Sequence, residues 1–160
     1  MSLDVVTVSS ATVVFVLAYV PVFFKGPVLF ARASTEARMD IAQLNLNPRT
    51  ALERTVAACS AEDAAYLARC QSCHNNCLEG LAWLYGALLF AAAAGVSANV
   101  IDAVALYNAV ARALYVYCYI TGTVAWKSYI RTFCFWSSWV ACLYLFVSAC
   151  TIAKGKPASW

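Results

Sequence analysis

LEGLAWLYGALLFAAAAG, Leu78 to Gly95, carries one acid at its second position and no charge after it. An apolar run of this length approaches the roughly 20 residues a helix needs to cross a bilayer. The helical pattern also reaches backwards into SAEDAAYLARC, Ser60 to Cys70. Ser60, followed by Glu62 and Asp63, has the form of a helix start, a capping hydroxyl with acids in the first turn. The whole segment would exceed the hydrocarbon core, so its first turns should stand in water or line a polar cavity.

Three further stretches repeat the apolar pattern, and together they predict helices over about 5–30, 62–94, 100–124 and 130–152. Short joints at GVSAN and TGTVAWKS imply antiparallel neighbours, and a polar loop over about 32–60 makes the one long connection. The composition agrees: 63% of residues are hydrophobic, 12% are charged, and the mean hydropathy is +0.70. A soluble domain carries about twice that charge. The expectation is an all-α, polytopic membrane protein in which residues 1–160 form one four-helix domain.

The first apolar run lacks a basic leader and a small-residue cleavage site, which reads as a retained helix rather than a signal peptide. The net charge of +3 is modest and unclustered, so nucleic acid is a poor partner. Arg32, Arg38, Arg49 and Arg54 fall in the first connection, and Lys127 and Arg131 at the third. Cytoplasmic or matrix loops are enriched in basic residues. Both connections are therefore expected on that side, with both termini on the other, in an endoplasmic reticulum or mitochondrial membrane.

RCQSCHNNCLE, Arg69 to Glu79, gathers three of the eight cysteines and the only histidine. Its Cys-x-x-Cys-His string matches haem c attachment, yet no second histidine exists, and no methionine beyond Met1 and Met39. A straight helix does not converge three cysteines and a histidine on one zinc ion, and a redox pair lacks its usual strand-helix setting. No metal is expected. Cysteine also serves as a small buried apolar residue, and packing is the expected role of most of the eight.

Arg69, Ser72, Asn76 and Glu79 share one helical face by their spacing of three, four and three. Arg112, Tyr115 and Tyr119 share another on the third span. Charges inside a span are costly unless paired or facing water, and mark function or helix-joining contacts. Arg112 lies deep in its segment, and Glu79 is the acid expected to pair with it. His74 points away from the Arg69–Glu79 face and reads as a helix contact.

Together these residues resemble the membrane-associated proteins in eicosanoid and glutathione metabolism, the family of microsomal glutathione transferases and prostaglandin E synthase. The resemblance rests on the loop text ARMDIAQLNLNPR and on Arg69, His74, Asn76 and Glu79 in the second helix. It continues in Arg112, Tyr115 and Tyr119 of the third, and in IRTFCF at the opening of the fourth. It implies a left-handed four-helix bundle assembled as a homotrimer, within a larger membrane assembly as one option, with glutathione held between subunits. By the same resemblance Arg69, Asn76, Glu79, Arg112 and Tyr115 would bind glutathione, and Arg112 would support Glu79.

Tyr119 with Arg131, or with Lys127, would then activate the thiol toward an apolar, lipid-like substrate from the bilayer. The reaction would be transfer to an electrophile or reduction of a lipid hydroperoxide. Asn75 and Ser72 stand where related sequences carry basic residues, which removes charge expected to meet glutathione carboxylates. A catalytically inactive member serving as a structural or binding subunit is therefore the alternative.

Overall fold

In the computed structural model, residues 4–35, 42 and 46–155 are described. Most of ARMDIAQLNLNPR, with Arg38 and Met39, lies outside them, as does Lys156. The helices are α1 (Val5–Thr35), α2 (Pro48–Ala58), α3 (Ala61–Ala94), α4 (Ala98–Ile120) and α5 (Ala125–Lys154). All but α2 are long and apolar enough to cross a membrane. The protein is an all-α, integral, multi-pass membrane protein with four spanning helices.

The four helices pack as a rhombus. Helices α3 and α4 touch across the short diagonal, each also packs on α1 and α5, and α2 rests against α1 and α3. Their inward stripes follow helical spacing. Ile101, Ala105, Asn108, Arg112 and Tyr115 are buried on α4, and Cys134, Ser138, Cys142, Leu145 and Ala149 on α5. On α3 the stripe runs through Leu67, Cys70, Cys73, Cys77, Gly80, Leu84 and Ala87. Small residues let membrane helices approach closely where no hydrophobic force distinguishes neighbour from lipid. All eight cysteines are free thiols, six of them buried. The outward faces are apolar, with Phe23, Phe133, Val140 and Val147 exposed.

Helix α3 has 34 residues, about 51 Å at 1.5 Å per residue, against a hydrocarbon core of about 30 Å. Its start is capped by Ser60, whose Oγ accepts from the Asp63 amide at 3.2 Å. It ends in a Schellman turn: Val96 N–H reaches the Ala91 carbonyl at 3.0 Å, and Gly95 takes φ 86°.

The first connection differs from a plain polar loop because it holds α2. Pro48 opens that helix, where its missing N–H costs nothing, and TALERTVAA continues it with largely helix-compatible residues. The joint before α5 is shorter than TGTVAWKS suggests. Helix α4 stops at Ile120 and α5 begins at Ala125. A Cβ at Gly122 would lie 2.5 Å from the Cys118 carbonyl oxygen, so the chain can make this close turn only with glycine.

Helix α1 contains Pro21 and Pro27. Each proline disturbs the carbonyl ladder of the turn before it. Two carbonyls in the turns before these prolines accept side-chain donors from α3. Ala18 O accepts from His74 Nδ1 at 2.7 Å, and Phe24 O from the Tyr66 hydroxyl at 3.3 Å. A carbonyl only accepts, so His74 is protonated on Nδ1. Tyr85 adds a third such bond, to Ala11 O at 3.0 Å. Lys25 Nζ donates to Gln71 Oε1 at 2.5 Å, and Gln71 donates on to Asn75. At the opposite end of α1, Thr7 donates to Asp102 of α4.

Candidate functional site

A cleft of about 200 Å³ opens at the bundle end formed by the C-terminal part of α4 and the start of α5. Asn76 enters it from α3, Tyr115 and Tyr119 from α4, and Arg131, Thr132, Phe135 and Trp136 from α5. The two tyrosines are one turn apart on α4, and Arg131 and Phe135 one turn apart on α5, so each helix presents one face to the cleft.

Asn76 Nδ2 donates to the Tyr115 hydroxyl oxygen at 2.9 Å. That leaves the Tyr115 hydroxyl proton and the Asn76 carbonyl oxygen for a ligand. The Arg131 guanidinium lies over the Tyr119 ring at 4.3 Å, within cation–π range. Its Nη2 also donates to Ser128 Oγ at 3.2 Å, which fixes the fork at the helix opening. Tyr115 and Tyr119 meet edge to face, centroids 5.3 Å apart. The cleft therefore combines one cation, two phenols and one amide, a donor-rich surface for an anion.

Four of the eight residues singled out in the sequence, Asn76, Tyr115, Tyr119 and Arg131, come together here. Lys127 does not line the cleft. Its Nζ donates to the Thr121 carbonyl and hydroxyl oxygens, both at 3.0 Å, and lies over the Tyr117 and Trp126 rings. Arg69 sits beside the Tyr66 ring at 5.9 Å, with its Nε buried and unpartnered. Glu79 is exposed on the outer face of α3.

The expected Arg112–Glu79 pair is not formed. Arg112 is 4% exposed and turns into the bundle, where its guanidinium lies against the Tyr115 and Phe135 rings at 5.4 and 5.7 Å. Those two rings form the wall between Arg112 and the cleft. Thr132, Phe135 and Trp136, which no sequence motif singles out, complete the cleft. Their signal was spacing from Arg131 within IRTFCFW, since Phe135 follows by one turn.

A second, apolar groove of about 650 Å³ runs along α4 and α5 and shares Trp136 with the cleft. Val104, Phe133, Val140 and Ala141 line it, with Tyr107 and Tyr144. Among the described residues no group of three or more His, Cys, Asp or Glu side chains is placed to hold a metal ion.

The family model of the MAPEG family matches residues 5–151, which take in all four spanning helices. The chain belongs to the MAPEG family. No curated protein and no solved structure matches it. MAPEG proteins are membrane-associated proteins of eicosanoid and glutathione metabolism, and they generally act on lipophilic substrates through glutathione chemistry.

The cleft is small and carries little charge. At about 200 Å³ it is smaller than the roughly 300–1,000 Å³ of most small-molecule sites. Among the described residues Arg131 is the one cation lining it. One chain of this MAPEG protein thus offers a small, donor-rich corner.

Proposed function

We propose that the cleft binds glutathione and that the protein is a glutathione-dependent transferase or lipid-hydroperoxide peroxidase. The observation that carries this reading is the Arg131 guanidinium over the Tyr119 ring in a cleft shared with Asn76 and Tyr115. A free thiol titrates near about 8.5, and nearby cations and hydrogen-bond donors favour its thiolate. Arg131 supplies the charge, the Tyr119 and Tyr115 hydroxyls supply donors, and Asn76 accepts from the peptide.

The thiolate would attack an electrophilic carbon to form a thioether. With a hydroperoxide it would attack the distal oxygen: an S–O bond forms, the O–O bond breaks and the alcohol leaves. A second glutathione then displaces water from the sulfenic sulfur to give the disulfide. The apolar groove beside Trp136 supplies a lipid-like substrate from the bilayer.

The remaining contacts to the tripeptide would come from a second copy. Ser72, Asn75 and Glu79 are exposed along α3. Glu79 lies 15 residues before the end of α3 at Ala94, about 22 Å along the axis and so within a core of about 30 Å. A carboxylate facing lipid there is unfavourable, and a homotrimer would cover it. The cleft lies at the end of the first and third connections, which this reading places on the cytoplasmic or matrix side of an endoplasmic reticulum or mitochondrial membrane.

The alternative is an inactive member serving as a structural or binding subunit, and the shortage of cations in the cleft favours it. Ultraviolet difference absorption of bound glutathione separates the two. The enzyme reading expects a thiolate band at neutral pH in the detergent-purified protein, lost in Arg131→Met. A correctly assembled oligomer that gives no band favours the structural reading.

A further inference from the structure

The interior of the bundle holds a cation that no carboxylate answers. Arg112 is 4% exposed, forms no ion pair among the described residues, and keeps its Nη1 buried without a hydrogen-bond partner. Arginine does not shed its proton in proteins, and a charge enclosed within a membrane bundle is costly without a partner. What the guanidinium does meet is two aromatic rings, Tyr115 at 5.4 Å and Phe135 at 5.7 Å. Both contacts are within cation–π range, and only Tyr115 carries a proton it can give up.

Tyr115 is held at its other end too. It lines the cleft, and Asn76 Nδ2 donates to its hydroxyl oxygen at 2.9 Å. A donor on the oxygen and a cation beside the ring both stabilise the negative charge that the oxygen gains as its proton leaves. Tyr119, one turn on, has Arg131 over its ring at 4.3 Å. Arg131 is only half-buried, so solvent and salt screen its field. Arg112 is shut away from water, and its field acts at a lower effective dielectric. The two arginine–tyrosine stacks therefore differ. The outer one presents a cation to an incoming thiolate, and the inner one presents a phenol whose departing proton an enclosed cation compensates.

We propose that Tyr115 donates the proton to a departing oxygen and that Arg112 is the positioning residue behind it. The cleft then favours electrophiles that leave as alkoxides, namely hydroperoxides and epoxides, over those that leave as halides. This inference rests on the reading that glutathione binds in the cleft. With a hydroperoxide, the thiolate sulfur bonds the distal oxygen, the O–O bond breaks, and the other oxygen departs with the electron pair. Sulfur is oxidised and the peroxide is reduced. Tyr115 gives the departing oxygen its proton, and the alcohol leaves. The phenolate then stands beside Arg112 until water returns the proton that the thiol shed on ionising. With an epoxide the thiolate bonds carbon, the C–O bond breaks, and the ring-opened oxygen takes the same proton. A chloride leaves without one.

Steady-state kinetics with glutathione and two electrophiles, cumene hydroperoxide and 1-chloro-2,4-dinitrobenzene, compares a leaving oxygen with a leaving chloride in the full-length, detergent-purified protein. Damage to the fold or to glutathione binding lowers both rates together, so the ratio of the two kcat values isolates proton donation. General acids contribute about 10²–10⁴-fold, so Tyr115→Phe should lower the hydroperoxide-to-chloride ratio at least about a hundredfold. Arg112→Gln should lower it at least about tenfold, the effect of one neighbouring charge, and Arg112→Lys should recover part of the loss. A difluorinated tyrosine incorporated at position 115 probes the same step without removing a side chain. Its more acidic phenol should bring the alkaline decline of the hydroperoxide rate to lower pH and leave the chloride profile in place. An unchanged ratio in Tyr115→Phe or Arg112→Gln, or an unmoved alkaline limb, overturns the proposal and leaves the glutathione reading standing. A wild type that turns over neither electrophile overturns both.

Discussion

Gly80 and Arg112 occupy one space. A Cβ at position 80 would lie 2.2 Å from Nη2 of the enclosed guanidinium, which must shift to admit it. Gly80→Ala should therefore destabilise the bundle by about 1–3 kcal/mol, the usual range for overpacking, seen as a lowered thermal midpoint in detergent. Gly86, where an added Cβ meets only Phe146 at 3.7 Å, should tolerate the same change. At this scale the sequence was readable in residue type and unreadable in direction. Helical spacing put Arg112 with Tyr115 and Tyr119 on one face, and Asn76 with Glu79 on another. It did not say that Glu79 faces outward while Gly80, beside it, receives the arginine. The rotation of α3 about its axis is fixed by packing on α1 and α5, which no local pattern records.

At the scale of the helix, α1 is tied to α3 by side-chain donors on its backbone carbonyls. His74 and Tyr66 each serve a carbonyl three residues ahead of a proline. Removing the His74 donor in His74→Phe should cost about 1 kcal/mol, typical of interhelical hydrogen bonds in membranes. Denaturant unfolding in detergent measures that cost, and an unchanged midpoint would contradict the contact. The start of α3 at Ser60 was legible because capping chemistry is local. Helix α2 was not, because an 11-residue helix with a weakly apolar face lacks the long run that betrays a span. Its one clear signal was Pro48 after Asn47.

The whole molecule has two kinds of surface: an apolar exterior suited to lipid, and a polar strip on α3 through Ser72, Asn75 and Glu79. If a second copy covers that strip, native mass spectrometry should show a trimer for the wild type. Glu79→Lys should then shift it toward monomer with the helix content unchanged. Four spans were legible from hydropathy alone, since the bilayer demands a minimum length of apolar helix. The cleft was legible only in part. Asn76, Tyr115, Tyr119 and Arg131 lie on three helices, and their convergence follows from the rhombic packing. Arg131 rather than Lys127 reaches it because α5 begins at Ala125, which leaves Lys127 at the helix end to bind the Thr121 carbonyl.

Calorimetric titration of the detergent-purified protein with glutathione shows whether this cleft receives it. Saturable binding in the wild type, weakened at least about tenfold in both Asn76→Ala and Arg131→Ala, is the predicted result. Each substitution removes a hydrogen bond to a charged or polar ligand group, worth roughly 1.5–3 kcal/mol where charge is involved. No heat from an intact oligomer, or binding that survives both substitutions, would contradict the assignment of the cleft.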